Sequence, residues 1–252
     1  MPGTARTVPL FGLDVRAETL PEAVAAIDSV VRARRPTLHV VLNALKASEI
    51  SGDPAMRDLL RSFDMVHADG TSIVWASRIL GRPLPERVAG IDLFVALLEL
   101  AAKRGYRPYL LGARREVVEE VARRVEAQHA GLKLAGWHDG YWDANDPAAE
   151  AAVVAAIRDA RPDLLFVAMP TPRKELFLAR YRDAMGVPFS MGVGGSFDVL
   201  AGKVTRAPRW MQRAGLEWFH RFLQEPRKMW KRYLVTNSHF AWLLLKELAR
   251  GR

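Results

Sequence analysis

The chain has 252 residues, half of them apolar and none a cysteine, and a formal net charge of +9. That length builds one α/β domain of ordinary size with a smaller appendage, while the apolar share excludes global disorder and the missing cysteines exclude disulfides and thiolate metal sites. The first ten residues lack a signal-peptide core, and the longest apolar run, Phe240 to Leu245, stops at Lys246, far short of the ~20 residues a membrane-spanning helix requires.

Taken in order, Val8 to Phe11 reads as a strand, and Thr19 caps a helix with Glu22 three positions on and Val24, Ile27, Val30 and Val31 as its apolar stripe. Leu38 to Leu42 is a second strand, after which Asp53-Pro54 opens another helix. Further strands are predicted at Met65–His67, Tyr109–Leu111, Leu132–Leu134, Leu164–Val167 and Phe189–Met191. Helical patterns over Asp92–Arg104, Arg115–His129 and Pro147–Arg161 separate most of them. This alternation predicts a doubly wound, mostly parallel, Rossmann-like α/β sheet over residues 1–202, with ligands at the carboxyl ends of its strands.

From Lys203 onward no strand is predicted, and 12 Lys and Arg face only Glu217, Glu225 and Glu247. A balanced body therefore carries a basic helical appendage, 203–252, broken at Pro208 and Pro226, which suggests an acidic partner. Arg206, Arg209 and Arg213 follow helix-compatible spacing, and Arg227, Lys228, Lys231 and Arg232 form a second cluster. Interleaved Trp210, Trp218, Phe219, Phe222, Trp230 and Tyr233 fit an anionic membrane interface, or helices whose aromatics pack on the body.

Three segments could carry chemistry. In Val66-His67-Ala68-Asp69-Gly70, Asp69 ends a strand and is either a helix cap or a general base. Leu111-Gly112-Ala113-Arg114 precedes a helix and is either a plain turn or a place where an anion meets free N–H groups. Gly192-Val193-Gly194-Gly195-Ser196-Phe197-Asp198 permits close backbone approach, with Asp198 able to accept from a ribose or base, or its glycines are structural. Dinucleotide, Walker and metal-ligand motifs are missing, and Ser190 and Ser196 lack triad partners.

As an ordered set, these pieces resemble the WecG/TagA/CpsF family, glycosyltransferase family 26. The resemblance spans nearly the whole chain. It is carried by Asn43-Ala44, Ala68-Asp69-Gly70, Glu86-Arg87-Val88-Ala89-Gly90-Ile91-Asp92-Leu93, Leu111-Gly112, Gly140-Tyr141, Pro170-Thr171-Pro172-Arg173-Lys174-Glu175 and the glycine run. Arg206-Ala207-Pro208, Leu216-Glu217-Trp218 and Glu225-Pro226-Arg227 continue it in the appendage.

The resemblance implies inverting, metal-independent transfer of a sugar from UDP to a polyprenyl-diphosphate-linked saccharide, at the cytoplasmic membrane face, in cell-surface polysaccharide assembly. It implies Asp69 as the base, Asn43 beside it, and Arg87 with appendage arginines compensating the leaving diphosphate. Gly70, Gly112, Tyr141, Gly192, Gly194 and Asp198 are the expected UDP-sugar contacts, and a homo-oligomer is compatible with it. Two positions depart from the family. Val41 stands where threonine is frequent, and Lys174 where glutamine is frequent, so a donor or acceptor sugar other than N-acetylmannosamine, such as glucose or a glucuronate, is expected. The competing readings are a non-catalytic module whose appendage binds anionic lipid or nucleic acid, and a Rossmann-type oxidoreductase. The glycosyltransferase reading expects no nucleic-acid partner, and the missing dinucleotide fingerprint opposes the oxidoreductase.

Overall fold

The computed structural model describes residues 6–143, 146–213, 215–224 and 226–250; the side chains of 213, 221, 226–234 and 250 lie outside that description. The expected basic contacts at Arg213, Arg227, Lys228, Lys231 and Arg232 therefore fall outside the described side chains.

The chain opens with an antiparallel hairpin of β1 (Thr7–Leu10) and β2 (Leu13–Arg16) rather than the single expected strand. Phe11 and Gly12 form its turn at φ 52° and 84°, as a two-residue hairpin loop demands. Helix α1 (Leu20–Arg32) follows, and Thr19 and Glu22 cap its first turn reciprocally.

The main sheet has six parallel strands: β3 (Thr37–Leu42), β4 (Met65–Ala68), β5 (Pro108–Gly112), β6 (Gly136–His138), β7 (Leu164–Ala168) and β8 (Phe189–Gly192). Their spatial order is β4-β3-β8-β7-β5-β6. Helices α2 (Ala44–Gly52) and α3 (Pro54–Arg61) connect β3 to β4, and α4 (Thr71–Ile79) and α5 (Gly90–Arg104) connect β4 to β5. Then α6 (Arg115–Gln128), α7 (Pro147–Ala160) and α8 (Arg173–Met185) alternate with the remaining strands. Both faces are covered. Val40, Leu42, Leu111, Leu165 and Val167 join one apolar cluster, and Leu110, Phe166, Phe189 and Met191 join the other. That is why the strands read as continuous apolar runs.

One strand lies elsewhere than expected. Leu132–Leu134 is not a strand; the edge strand is Gly136–His138, pairing Tyr109 with Gly136. A Cβ at Gly136 would lie 2.8 Å from the Tyr109 ring, so only glycine fits that register. Leu132 is buried in the second apolar cluster instead.

From β3 the chain steps outward to β4, and from β5 it steps outward to β6 on the opposite edge, while β7 and β8 fill the middle. Such a reversal opens a crevice at the carboxyl ends of the central strands. After α9 (Ser196–Leu200) the described residues contain only helices: α10 (Arg209–Arg213), α11 (Glu217–Gln224) and α12 (Pro226–Arg250). Pro208 and Pro226 stand at helix starts. Arg206 precedes α10, so it does not share a helix with Arg209 and Arg213.

The apolar residues of the appendage whose side chains are described divide into two sets, the expected interface residues Trp230 and Tyr233 lying outside that description. Phe240 and Leu243 of α12 are buried in the cluster that holds the hairpin, with the Phe240 ring 5.1 Å from that of Phe11. His239 is hydrogen-bonded to Ser48 and Ser51 of α2. Trp210, Trp218, Phe219, Leu223, Trp242 and Leu245 are exposed. No helix among the described residues is long and apolar enough to cross a membrane.

Candidate active site

Asp69 directly follows β4, and its backbone N–H donates to Leu42 at the end of β3 at 2.8 Å. It is not a helix cap: Gly70, at φ 117°, occupies the N-cap of α4, and no side chain bonds there. The cap alternative therefore falls, and the Asp69 carboxyl remains available for chemistry. Asp69 keeps some solvent contact, yet enough protein surrounds it for desolvation to raise its pKa to about 6. Arg87 and Lys46 pull in the opposite direction, while Glu217 and Asp92 add to the rise.

Asn43 stands beside Asp69 because β3 and β4 pair Leu42 with Ala68. Its side-chain oxygen accepts from the Lys46 N–H at 3.0 Å, capping α2 and fixing its rotamer. Arg87 is brought close by the next segment, where the Val88 N–H donates to the Ala68 carbonyl at 3.0 Å. Val41 faces the start of α5; a Cβ on Gly90 would lie 3.6 Å from its Cγ1. An apolar side chain suits that contact.

Arg87 is not free. Its guanidinium is paired with Glu217 of α11 and lies 3.7 Å from Asp92 of α5. Arg206 completes the group, with Asp92 at 2.6 Å and Glu217 at 3.4 Å. Both carboxylate partners of Arg206 are protein groups. Arg209 is exposed.

At the middle of the crevice, Lys174 of α8 covers the end of β8, where a Cβ on Gly192 would lie 3.0 Å from its Cδ. Gly192 is therefore in contact with a side chain. Lys174 and Lys46 converge on one oxygen of Glu175, at 2.9 and 2.8 Å, and Lys174 also donates to Thr171. Burial, reinforced by neighbouring Lys46, lowers the Lys174 pKa. Burial raises that of Glu175, but the two lysines outweigh it and the net shift is downward. Sequence reasoning did not single out Lys46, and Glu175 enters it only as the end of the motif at 170–175; their local signals are a lysine three positions after a capping asparagine and a carboxylate in the first turn of α8.

Gly112 has φ 114°, and a Cβ there would lie 2.5 Å from the Ala168 carbonyl oxygen. Gly140 in turn rests on Gly112, a Cβ on it lying 3.0 Å from the Gly112 Cα. These glycines allow backbone to meet backbone on the side where a Cβ would stand. Gly194 differs: at φ 51° it has nothing within 4 Å of its missing side chain, and it faces open space.

Beyond Gly140, a shallow recess of about 300 Å³ is lined by Arg114, Arg115, Glu116, Asp139 and Tyr141. Tyr141 is 70% exposed, its N–H held by Asp139 at 2.8 Å. Arg173 ties this loop to α8 by donating to Gly140 at 3.1 Å and stacking on Trp142 at 4.4 Å. Its other terminal nitrogen is buried without a hydrogen-bond partner. Asp198 is half-buried on α9. No group of three or more His, Asp or Glu among the described residues is arranged to hold a metal.

The expected residues thus line one edge in two groups. Asp69, Gly70, Asn43, Val41 and Arg87 lie at the β3–β4 end, and Tyr141 lies at the β5–β6 end, with Gly192, Lys174 and Gly194 between. The model of the glycosyl transferase WecG/TagA/CpsF family matches residues 8–252. The chain belongs to the WecG/TagA/CpsF family. It is 39% identical over 190 residues, 75% of this chain and 72% of the relative, to N-acetylglucosaminyldiphosphoundecaprenol N-acetyl-beta-D-mannosaminyltransferase of Bacillus subtilis. The Bacillus spizizenii protein of the same name is 33% identical over 248 residues, covering 98% of this chain and 94% of its own length. As a WecG/TagA/CpsF member the chain is a glycosyltransferase, and the reading as a non-catalytic module gives way.

Proposed function

We propose that the protein transfers a sugar from a UDP-sugar to a hydroxyl of a saccharide carried on polyprenyl diphosphate, with Asp69 as the base. The observation that carries this is the placement of Asp69 at the crevice edge beside Asn43 and Arg87, not in a helix cap. Two relatives are named for an acceptor with a diphosphoundecaprenol group. From β5 to β4 is four strand spacings, about 19 Å at ~4.8 Å each, a span an extended nucleotide sugar bridges. The uridine would lie toward Tyr141 and Asp198, the diphosphate over Gly194, and the sugar toward Asn43.

In this arrangement the ionised Asp69 removes the acceptor proton as the oxygen attacks the anomeric carbon. The bond to UDP breaks on the opposite face, inverting the centre. Negative charge grows on the leaving diphosphate, where Arg87 and Arg206 stabilise it without requiring a metal. Val41 and Lys174 would border the sugar, and their chemistry supports a donor or acceptor other than N-acetylmannosamine. The exposed tryptophans and basic appendage support peripheral attachment to the cytoplasmic face of an anionic membrane.

The test is a donor screen. Purified protein is offered UDP-glucose, UDP-glucuronate and UDP-N-acetylmannosamine with a short-chain lipid-diphosphate saccharide, and released UDP is measured. Acceptor-dependent release with one donor is expected; no release with any donor or acceptor would contradict the proposal.

A further inference from the structure

Two guanidinium groups and two carboxylates, all half-buried, meet at the crevice mouth: Arg87, Arg206, Asp92 and Glu217. Their charges cancel, so the mouth presents no net attraction to a diphosphate while all four are in contact. The two carboxylates are held differently. Asp92 belongs to the first turn of α5 in the body and takes Arg206 through two contacts, at 2.6 and 2.9 Å. Glu217 is in the first turn of α11 in the appendage, and reaches both arginines across the mouth.

The appendage rests directly beside the base. Gly215, at φ 73°, packs on Thr71, two residues beyond Asp69, and a Cβ there would lie 2.7 Å from the Thr71 hydroxyl. Glu217 is therefore placed over the same groups that the leaving diphosphate requires.

We infer that Glu217 is an internal stand-in for a phosphate group, holding Arg87 and Arg206 in their working arrangement until the substrate's diphosphate displaces it. This rests on the diphosphate role assigned to those arginines. A diphosphate brought to the pair is repelled by both carboxylates, and Glu217, carried on the appendage rather than on the body helix that holds Asp92, is the one that leaves the arginines. Asp92 remains and keeps Arg206 oriented. Substrate binding is thereby coupled to a shift of α11, the element that also carries the exposed Trp218, Phe219 and Leu223.

The experiment is a titration of the full chain with UDP by calorimetry, comparing wild type with Glu217→Gln. Removing one competing charge from a half-exposed site should lower the Kd for UDP about five- to tenfold. A merely structural role would weaken binding or leave it unchanged, and either result overturns the inference. Repeating the comparison in an Arg206→Gln background should shrink the gain at least by half, because one of the released partners is gone; an undiminished gain also overturns it. If wild-type protein binds no UDP, the donor assignment itself fails, an outcome separable from the others.

Discussion

Arg87, in the segment leading to α5, is ion-paired with Glu217, at the start of α11, 130 residues later in the chain. This contact joins the basic appendage to the neighbourhood of the proposed base, and Glu217 contributes to the raised pKa of Asp69. The appendage thus packs against the body beside the proposed base.

The pH dependence of turnover follows from Asp69. A base acts only when ionised, and its pKa stands at about 6 against an ordinary 3.8. The kcat/KM for transfer should therefore rise with unit slope through about pH 6 and level off above it. A profile flat from pH 5 to 8 would assign the proton to another group.

The same shift makes a stability prediction of opposite sense. Because the folded state binds the Asp69 proton more tightly than the unfolded state, stability from this group falls as pH rises from about 4 to about 6, and the loss persists above that. Asp69→Asn should raise stability at pH 7.5 by up to about 3 kcal/mol, less where solvent still reaches the carboxyl, as read by urea unfolding. An equally large gain at pH 3.5 would show that charge is not the cause.

The buried cluster under the crevice gives an asymmetric pair of variants. Glu175→Gln leaves Lys46 and Lys174 facing each other without their shared carboxylate, and should cost about 3 kcal/mol. Lys174→Met keeps one lysine on Glu175 and should cost about 1 kcal/mol or less. Equal losses in thermal unfolding would argue against the sharing.

Two glycines separate steric from conformational need. Gly112→Ala meets the Ala168 backbone at 2.5 Å and should cost about 3 kcal/mol or more. Gly194→Ala meets nothing within 4 Å and should cost only ~1 kcal/mol for its left-handed backbone. Its larger effect should appear in the Kd for UDP, and an unchanged Kd would remove Gly194 from the diphosphate path.

Much of this was legible before any coordinates. The apolar runs at β3, β5, β7 and β8 are buried on both faces, and continuous burial is what makes a parallel strand readable. The capping box at Thr19 and Glu22 and the helix start at Asp53-Pro54 also stand as expected. The hairpin's second strand was missed because Leu13 and Val15 alternate with Asp14 and Arg16 over only four residues. The edge strand was placed too early because Gly136 carries no β signal, although it alone fits against Tyr109. At the candidate site, Asp69, Asn43 and Arg87, which the sequence singles out through their motifs, lie close together. The Lys46–Glu175 and Arg87–Glu217 contacts were not legible, because tertiary packing joins residues 129 and 130 positions apart. The sequence leaves the appendage aromatics open between a membrane interface and packing on the body; Phe240 and Leu243 fill the core, while Trp218, Phe219 and Leu223 are exposed. Deleting the appendage would therefore remove core as well as charge, so replacing the exposed Trp218, Phe219 and Leu223 with serine is the cleaner test of liposome binding.

The central claim is tested most directly by Asp69→Ala, assayed for UDP released in the presence of donor and lipid-diphosphate acceptor, with UDP binding measured on the same protein. Turnover should be lost while the variant remains folded and still binds UDP. Near-normal turnover by that variant would contradict the account.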